Sequence, residues 1–186
     1  NSKDFPDVAV VVTDVENLKR NLLLFTQVKD LEIPTLLVIN MSDQMKRKGI
    51  SLDIEALEKQ LDTKIALIST RENEGVEELK TLILNYRQLS TQHSISLTSI
   101  DEEYFKNLEK AFPNQSLYKL WLVITQDVNF AKIDRKRVSD ATNFKTQSES
   151  YLKRLQQKET VKRYQFINSV LKTTLVIDRA SATDLR

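Results

Sequence analysis

The run Thr35-Leu-Leu-Val-Ile39 restricts the fold more than any other part of this chain. It follows Pro34, offers no polar position after Thr35, and is rich in branched side chains. A strand with one wet face alternates in polarity. An unbroken apolar run of this length is buried on both faces, the situation of a parallel sheet with helices on either side. The run ends at Asn40, with Asp43 three positions on, where an open α/β sheet presents its ligand-binding edge. A carboxylate held there can accept two hydrogen bonds, as from the N1–H and 2-amino group of guanine. The Asn40 amide can reach a base edge and brace the neighbouring loop. The same residues also suit a strand running into an Asx turn, with Asp43 as N-cap of the next helix.

The flanking segments extend the alternation of strands and helices. Val8–Thr13 is a second β-branched run, and Leu18, Leu22, Phe25 and Val28 recur at helical spacing through residues 16–30. Lys46-Arg47-Lys48 and Gly49 predict a turn. Asp53 opens a helix bearing Ile54, Leu57 and Leu61, Lys64–Ile68 is a third strand, and Ser69–Gly75 is a loop. Val76, Leu79, Leu82 and Ile83 carry a helix to about Leu89. Short connections between such elements imply parallel strands and right-handed crossovers.

Residues 90–99, rich in Ser, Thr and Gln, predict a linker, and no strand is expected from Ile100 onward. Asp101 opens a helix whose first turn is acidic, which suits the helix dipole, with Tyr104, Leu108 and Ala111 on its apolar face. Pro113-Asn114 breaks it. Ser116 or Asn114 caps the next helix, which carries Leu117, Leu120, Trp121 and Ile124. Two further helices are expected over 135–156, through Val138, Phe144, Tyr151 and Leu155, and from Glu159 to about Leu175. Tyr104, Phe105, Trp121 and Phe166 are spaced as core. The tail from Asp178 to Arg186 carries no stop signal, as if continued in a longer protein.

Composition narrows the chemistry. Among 186 residues, 40% are hydrophobic, enough for a core in one generous domain or two small ones. The 28 basic and 26 acidic residues nearly cancel, which argues against a nucleic-acid-binding surface. Without cysteine there is no disulfide framework, thiolate metal site or thiol nucleophile, and His93 alone cannot build a histidine metal centre or catalytic triad. No run approaches a membrane-spanning length, and the polar stretch Asn1–Asp7 is unlike a signal peptide. Asp14, at a strand end without a partner carboxylate, is expected to cap a helix or brace a loop. Lys46-Arg47-Lys48 is expected to be a solvated patch rather than a lipid contact.

Asn40-Met41-Ser42-Asp43, followed one helix later by Ser69-Thr70-Arg71, resembles the Asn-Lys-x-Asp and Ser-Ala-x pair of Ras-like GTPases of the translation-factor-related type. Met41 in place of Lys makes it similar to the G domain of ferrous iron transport protein B (FeoB). Asp14–Leu22, Lys46–Ile50 and Glu159–Ile167 resemble that family too. The resemblance implies an α/β fold followed by an all-α part: a partial G domain over 1–90, a linker over 91–99, and a helical domain over 100–186 that acts as a nucleotide dissociation inhibitor. It implies guanine binding by Asn40, Met41, Asp43, Ser69 and Thr70, GTP or GDP as cofactor, and a parent protein at the cytoplasmic face of a bacterial inner membrane. The parent would hydrolyse GTP with Mg²⁺ and drive Fe²⁺ uptake.

The chain departs from that pattern in one respect. With only Gly49 and Gly75 it has no GxxxxGK motif followed by Ser or Thr, so the phosphate grip and the Mg²⁺ site are absent from it. It is therefore expected to lack GTPase activity by itself and to bind nucleotide weakly. Strand 8–13 is expected to be an apolar edge covered by self-association or by strand exchange between copies. Two other readings fit the residues: a protein-interaction module without nucleotide, and a fragment of another GTPase of the superfamily, such as a ribosome-assembly GTPase.

Overall fold

The computed structural model describes residues 6–130 and 132–178, which fall into two compact units. One unit comprises Pro6–Ser94 together with the residues from Tyr164 onward; the other is Ile95–Arg163.

In the first unit, β1 (Ala9–Asp14), β2 (Thr35–Asn40) and β4 (Ile65–Leu67) form a parallel sheet in the order β1-β2-β4. Thr35–Ile39 is buried at every position, as its unbroken apolar character requires. Helix α1 (Leu18–Lys29) buries Leu18, Leu22 and Phe25 on the face that carries Val11, Leu37 and Ile39. On the opposite face Val38, Ala66 and Ile68 meet Leu79 and Leu82 of α4 (Val76–Leu84). Helix α3 (Ile54–Leu61) starts at Asp53, whose carboxylate accepts from Ala56 N–H. Lys29 is fully buried because its Nζ donates to Asp62 O at 2.7 Å and Ser90 O at 3.1 Å, tying the end of α3 to the segment after α4. Burial pushes its ammonium pKa down.

Several expectations are corrected. Lys46 and Arg47 lie in a short helix, α2 (Ser42–Arg47), and the turn is confined to Lys48-Gly49, where Gly49 takes φ +62°. A strand does occur beyond Ile100. After α2, β3 (Ile50–Leu52) pairs antiparallel with β5 (Leu175–Ile177), matching Ile50 to Ile177 and Leu52 to Leu175. The predicted helices over 135–156 and 159–175 are instead α7 (Arg135–Ser139), an irregular stretch, and the continuous α8 (Glu149–Thr174). Residues 140–148 hold Asp, Thr, Asn and Ser, which compete with the helix ladder for their own backbone groups. Nothing in 156–160 interrupts helix propensity. The end of α8 packs with the sheet unit, where Ile167, Val170 and Leu171 join Leu57 and Leu61 in the core. The predicted tail beyond Asp178 lies outside the described residues.

In the second unit, α5 (Glu102–Ala111) is capped by Asp101, which accepts from Tyr104 N–H at 3.0 Å. That bond, with the Tyr151 hydroxyl on the other oxygen at 2.7 Å, holds the Asp101 carboxyl below the usual carboxylate range. Tyr104, Phe105 and Trp121 of α5 and α6 (Leu117–Thr125) pack edge to face, and burial pushes the Tyr104 hydroxyl up to about 12. Phe166, also expected in a core, is half-buried against the sheet unit. No helix of the described residues is long and apolar enough to cross a membrane.

Candidate functional site

The five residues singled out in the sequence converge at the carboxyl ends of β2 and β4. Asn40 is the last residue of β2, and its side chain is used three times. Its Oδ1 accepts from Met41 N–H at 2.8 Å and from Thr70 N–H at 3.2 Å, while its Nδ2 donates to Thr70 Oγ1 at 3.3 Å. The amide therefore ties the loop after β2 to the loop after β4. A backbone bond from Ser42 N–H to Ile68 O, at 3.0 Å, reinforces the tie. Met41 occupies the left-handed region at φ +63° and leaves its thioether side chain 44% exposed at the sheet edge.

Asp43 sits in the first turn of α2, yet its carboxylate bonds outside its own helix. Oδ1 accepts from Ser69 Oγ at 2.9 Å; Oδ2 is sealed from solvent and accepts no hydrogen bond from any described residue. Ser69 is fully buried, and its Oγ also accepts from Glu72 N–H at 3.2 Å. The turn that holds it is closed by two backbone bonds between Ser69 and Glu74, of 3.1 and 3.0 Å. Gly75 follows at φ +73°, where a Cβ would lie 2.4 Å from Leu67 O. Glycine is thus required for this turn to approach the end of β4.

What the arrangement can do follows from its donor and acceptor inventory. Asp43 is braced through one oxygen and has acceptor capacity left on the other. A ligand presenting adjacent N–H donors in one plane suits such a carboxylate, and the exposed Met41 thioether offers an apolar, polarizable contact for a flat ring. Among the described residues no group of three or more His, Cys, Asp or Glu could hold a metal ion.

Asp14 lies opposite Asn40 in the β1–β2 register, but it braces its own loop as expected. Both of its carboxylate oxygens accept from Asn17, whose side chain holds the Asp14 pKa below its ordinary value. Lys48 pairs with Glu16 at 2.8 Å, which accounts for one member of the basic patch. Two neighbours of Asp43 were not foreseen. Arg71 Nε lies 3.9 Å and Arg47 Nη2 4.0 Å from Asp43 Oδ2. Arg47 stands four residues beyond Asp43, a spacing that signals a pair only once α2 is known to be a helix.

Residues 2–83 match the family described as ferrous iron transport protein B. The chain is 34% identical over 99 residues to the Fe(2+) transporter FeoB of Leptospira biflexa, covering 53% of this chain and 14% of that protein. To the Fe(2+) transporter FeoB of Escherichia coli (strain K12) it is 39% identical over 82 residues, covering 44% of this chain and 10% of the relative. The chain thus spans a small part of the curated relatives it matches. In fold it resembles the cytosolic domain of the T. maritima FeoB iron transporter in its GMPPNP form. The TM-score is 0.78 at 21% identity, over 94% of this chain and 69% of that one. The cytosolic domain of L. pneumophila FeoB matches at TM-score 0.64 and 22% identity, over 93% and 68% of the two chains.

Proposed function

We propose that the loops after β2 and β4 are the base-reading half of a guanine-nucleotide site, a reading supported by the match of residues 2–83 to the family described as ferrous iron transport protein B. The observation that carries this reading is the Asp43 carboxylate, braced by Ser69 through Oδ1 and retaining an unused acceptor on Oδ2. In the reading, guanine N1–H and the 2-amino group donate to Asp43. Asn40 holds the two loops in register, Met41 lies along the base plane, and Ser69 and Thr70 shape the rim. Adenine presents no such pair of donors and is rejected because the buried carboxylate would be left without a partner.

The wider role follows from the family. The chain belongs to the nucleotide-binding region of an Fe²⁺ transporter at the cytoplasmic face of the inner membrane, with Ile95–Arg163 as a helical part that slows nucleotide release. It carries no phosphate-loop motif, so the reading is confined to base recognition. Phosphate and Mg²⁺ chemistry would be supplied by the parent protein, and turnover of GTP by these 186 residues alone is expected to be negligible.

Asp43→Asn tests the site. Asparagine can donate to the C2 carbonyl that xanthine carries in place of the guanine 2-amino group. NMR titration should therefore show that the wild-type chain prefers guanosine over adenosine and xanthosine. The variant should lose guanosine and gain xanthosine. Unchanged guanosine binding by the variant would refute the assignment.

A further inference from the structure

Asp43 carries a feature that base recognition does not by itself explain. Its Oδ2 is the oxygen available to a ligand, yet protein atoms seal it from solvent without donating to it. The flanking cations are Arg71 Nε at 3.9 Å and Arg47 Nη2 at 4.0 Å. These separations are too long for hydrogen bonds and short enough for strong Coulomb attraction. The two guanidinium groups differ in freedom. Arg47 is one turn along α2 from Asp43. Arg71 stands on the turn after β4 with its side chain 67% exposed, and its Nε also donates to Glu72 Oε1 at 2.9 Å. Arg71 Nε is thus already held by a second carboxylate, which can keep the guanidinium when it swings off Asp43.

We propose that Arg71 is a movable cover over the base-reading oxygen: it lies beside Asp43 Oδ2, and a guanine edge pairs with that oxygen only when Arg71 swings aside while keeping its bond to Glu72. This rests on the guanine reading of the site and adds a residue that sets affinity. Cation and base compete for one acceptor, so the cover weakens base binding without changing which base is selected. Its mark is a salt effect of unusual sign. Guanosine is uncharged, so salt acts on its binding only through charges of the protein. Screening loosens Arg71 from Asp43, and guanosine should bind more tightly as salt rises.

The test is an amide NMR titration of the full chain with guanosine at about 0.05 and about 0.5 M NaCl, conditions between which the screening length falls severalfold. Arg71→Ala should bind guanosine roughly threefold to fivefold more tightly than wild type at low salt, the range of a partly exposed ion pair. The salt effect should vanish in that variant. Glu72→Gln, which removes the carboxylate that competes with Asp43 for Arg71, should weaken binding below wild type. Spectra of the free variants that superimpose outside the 69–75 turn establish that the fold is kept. Arg71→Ala binding no more tightly than wild type overturns the cover, and if Asp43→Asn abolishes binding in the same series, the base site itself stands. If Asp43→Asn binds guanosine as wild type does, or if no variant binds it, the base site and the cover fall together.

Discussion

Two polar clusters, one in each unit, use the same chemistry to opposite ends. In the helical unit Glu159 is buried on α8; its Oε1 accepts from Arg163 Nε at 2.9 Å and forms an ion pair with Nη2 at the same distance, and its Oε2 accepts from Trp121 Nε1 at 2.6 Å. The Arg163 guanidinium lies 5.0 Å from the Tyr118 ring centroid. Both oxygens of that carboxylate are spoken for by neighbours on α6 and α8. In the sheet unit Asp43 receives one donor, Ser69, and keeps its second oxygen in reserve beneath two arginines that do not quite reach it. A closed cluster fixes the packing of helices. An incomplete one, at the carboxyl ends of parallel strands, is what a ligand site requires.

The contrast can be broken most forcefully at the closed cluster. Glu159→Ala removes the carboxylate that Arg163 and Trp121 share while leaving a fully buried guanidinium in place. Loss of one member of a buried pair costs about 3–5 kcal/mol. Chemical denaturation followed through Trp121 fluorescence should show that loss as a lowered midpoint with little change in slope. A change below about 1 kcal/mol would place Glu159 among ordinary surface residues and end the comparison. Asp43→Asn, by contrast, should leave the midpoint nearly unmoved while changing ligand preference.

A smaller effect is expected at Gly75. Alanine there must adopt φ +73° and bring its Cβ against Leu67 O, and such strain costs about 1–3 kcal/mol. Because Gly75 closes the turn that buries Ser69, the spectral changes should concentrate on residues 69–75 and on Asp43. A stable variant with an unperturbed Ser69 loop would show that the turn tolerates a side chain and that the geometry at Asp43 is not built on it.

Which parts were legible in the sequence follows from the range of the interactions involved. The parallel strands and helices α1, α3, α5 and α6 announce themselves by local periodicity and by caps such as Asp53 and Asp101, and the five site residues lie together as their strand-end positions imply. Helix α2 is six residues with Met45 alone buried among its described side chains, so no apolar stripe betrays it. Strands β3 and β5 are three residues each, and their pairing joins Ser51 to Val176, a long-range contact that no local pattern contains. Val138, Phe144, Tyr151 and Leu155 mimic one helical stripe although they belong to three separate segments, α7, the irregular stretch and α8. The Arg71–Asp43 approach is of the same kind, because it exists only once two loops from separate strands are placed side by side.

The least costly change in stability bears on the remaining asymmetry between the two units. Strand β1 is the first strand of the sheet order, and Val10 and Val12 lie on the face away from α1, 38% and 59% exposed. An edge strand with two exposed valines is a template for another strand. The helical unit exposes no comparable edge among its described residues. Val12→Lys keeps a residue tolerated in edge strands, places a charge on the apolar strip, and should move the unfolding midpoint by less than about 0.5 kcal/mol. If copies of this chain cover the edge for one another, sedimentation velocity should show association that rises with concentration in wild type and disappears in Val12→Lys. Wild-type chain that stays monomeric across the same concentrations would mean that the strip alone does not drive pairing, and that the exposed valines of β1 are tolerated as an isolated patch.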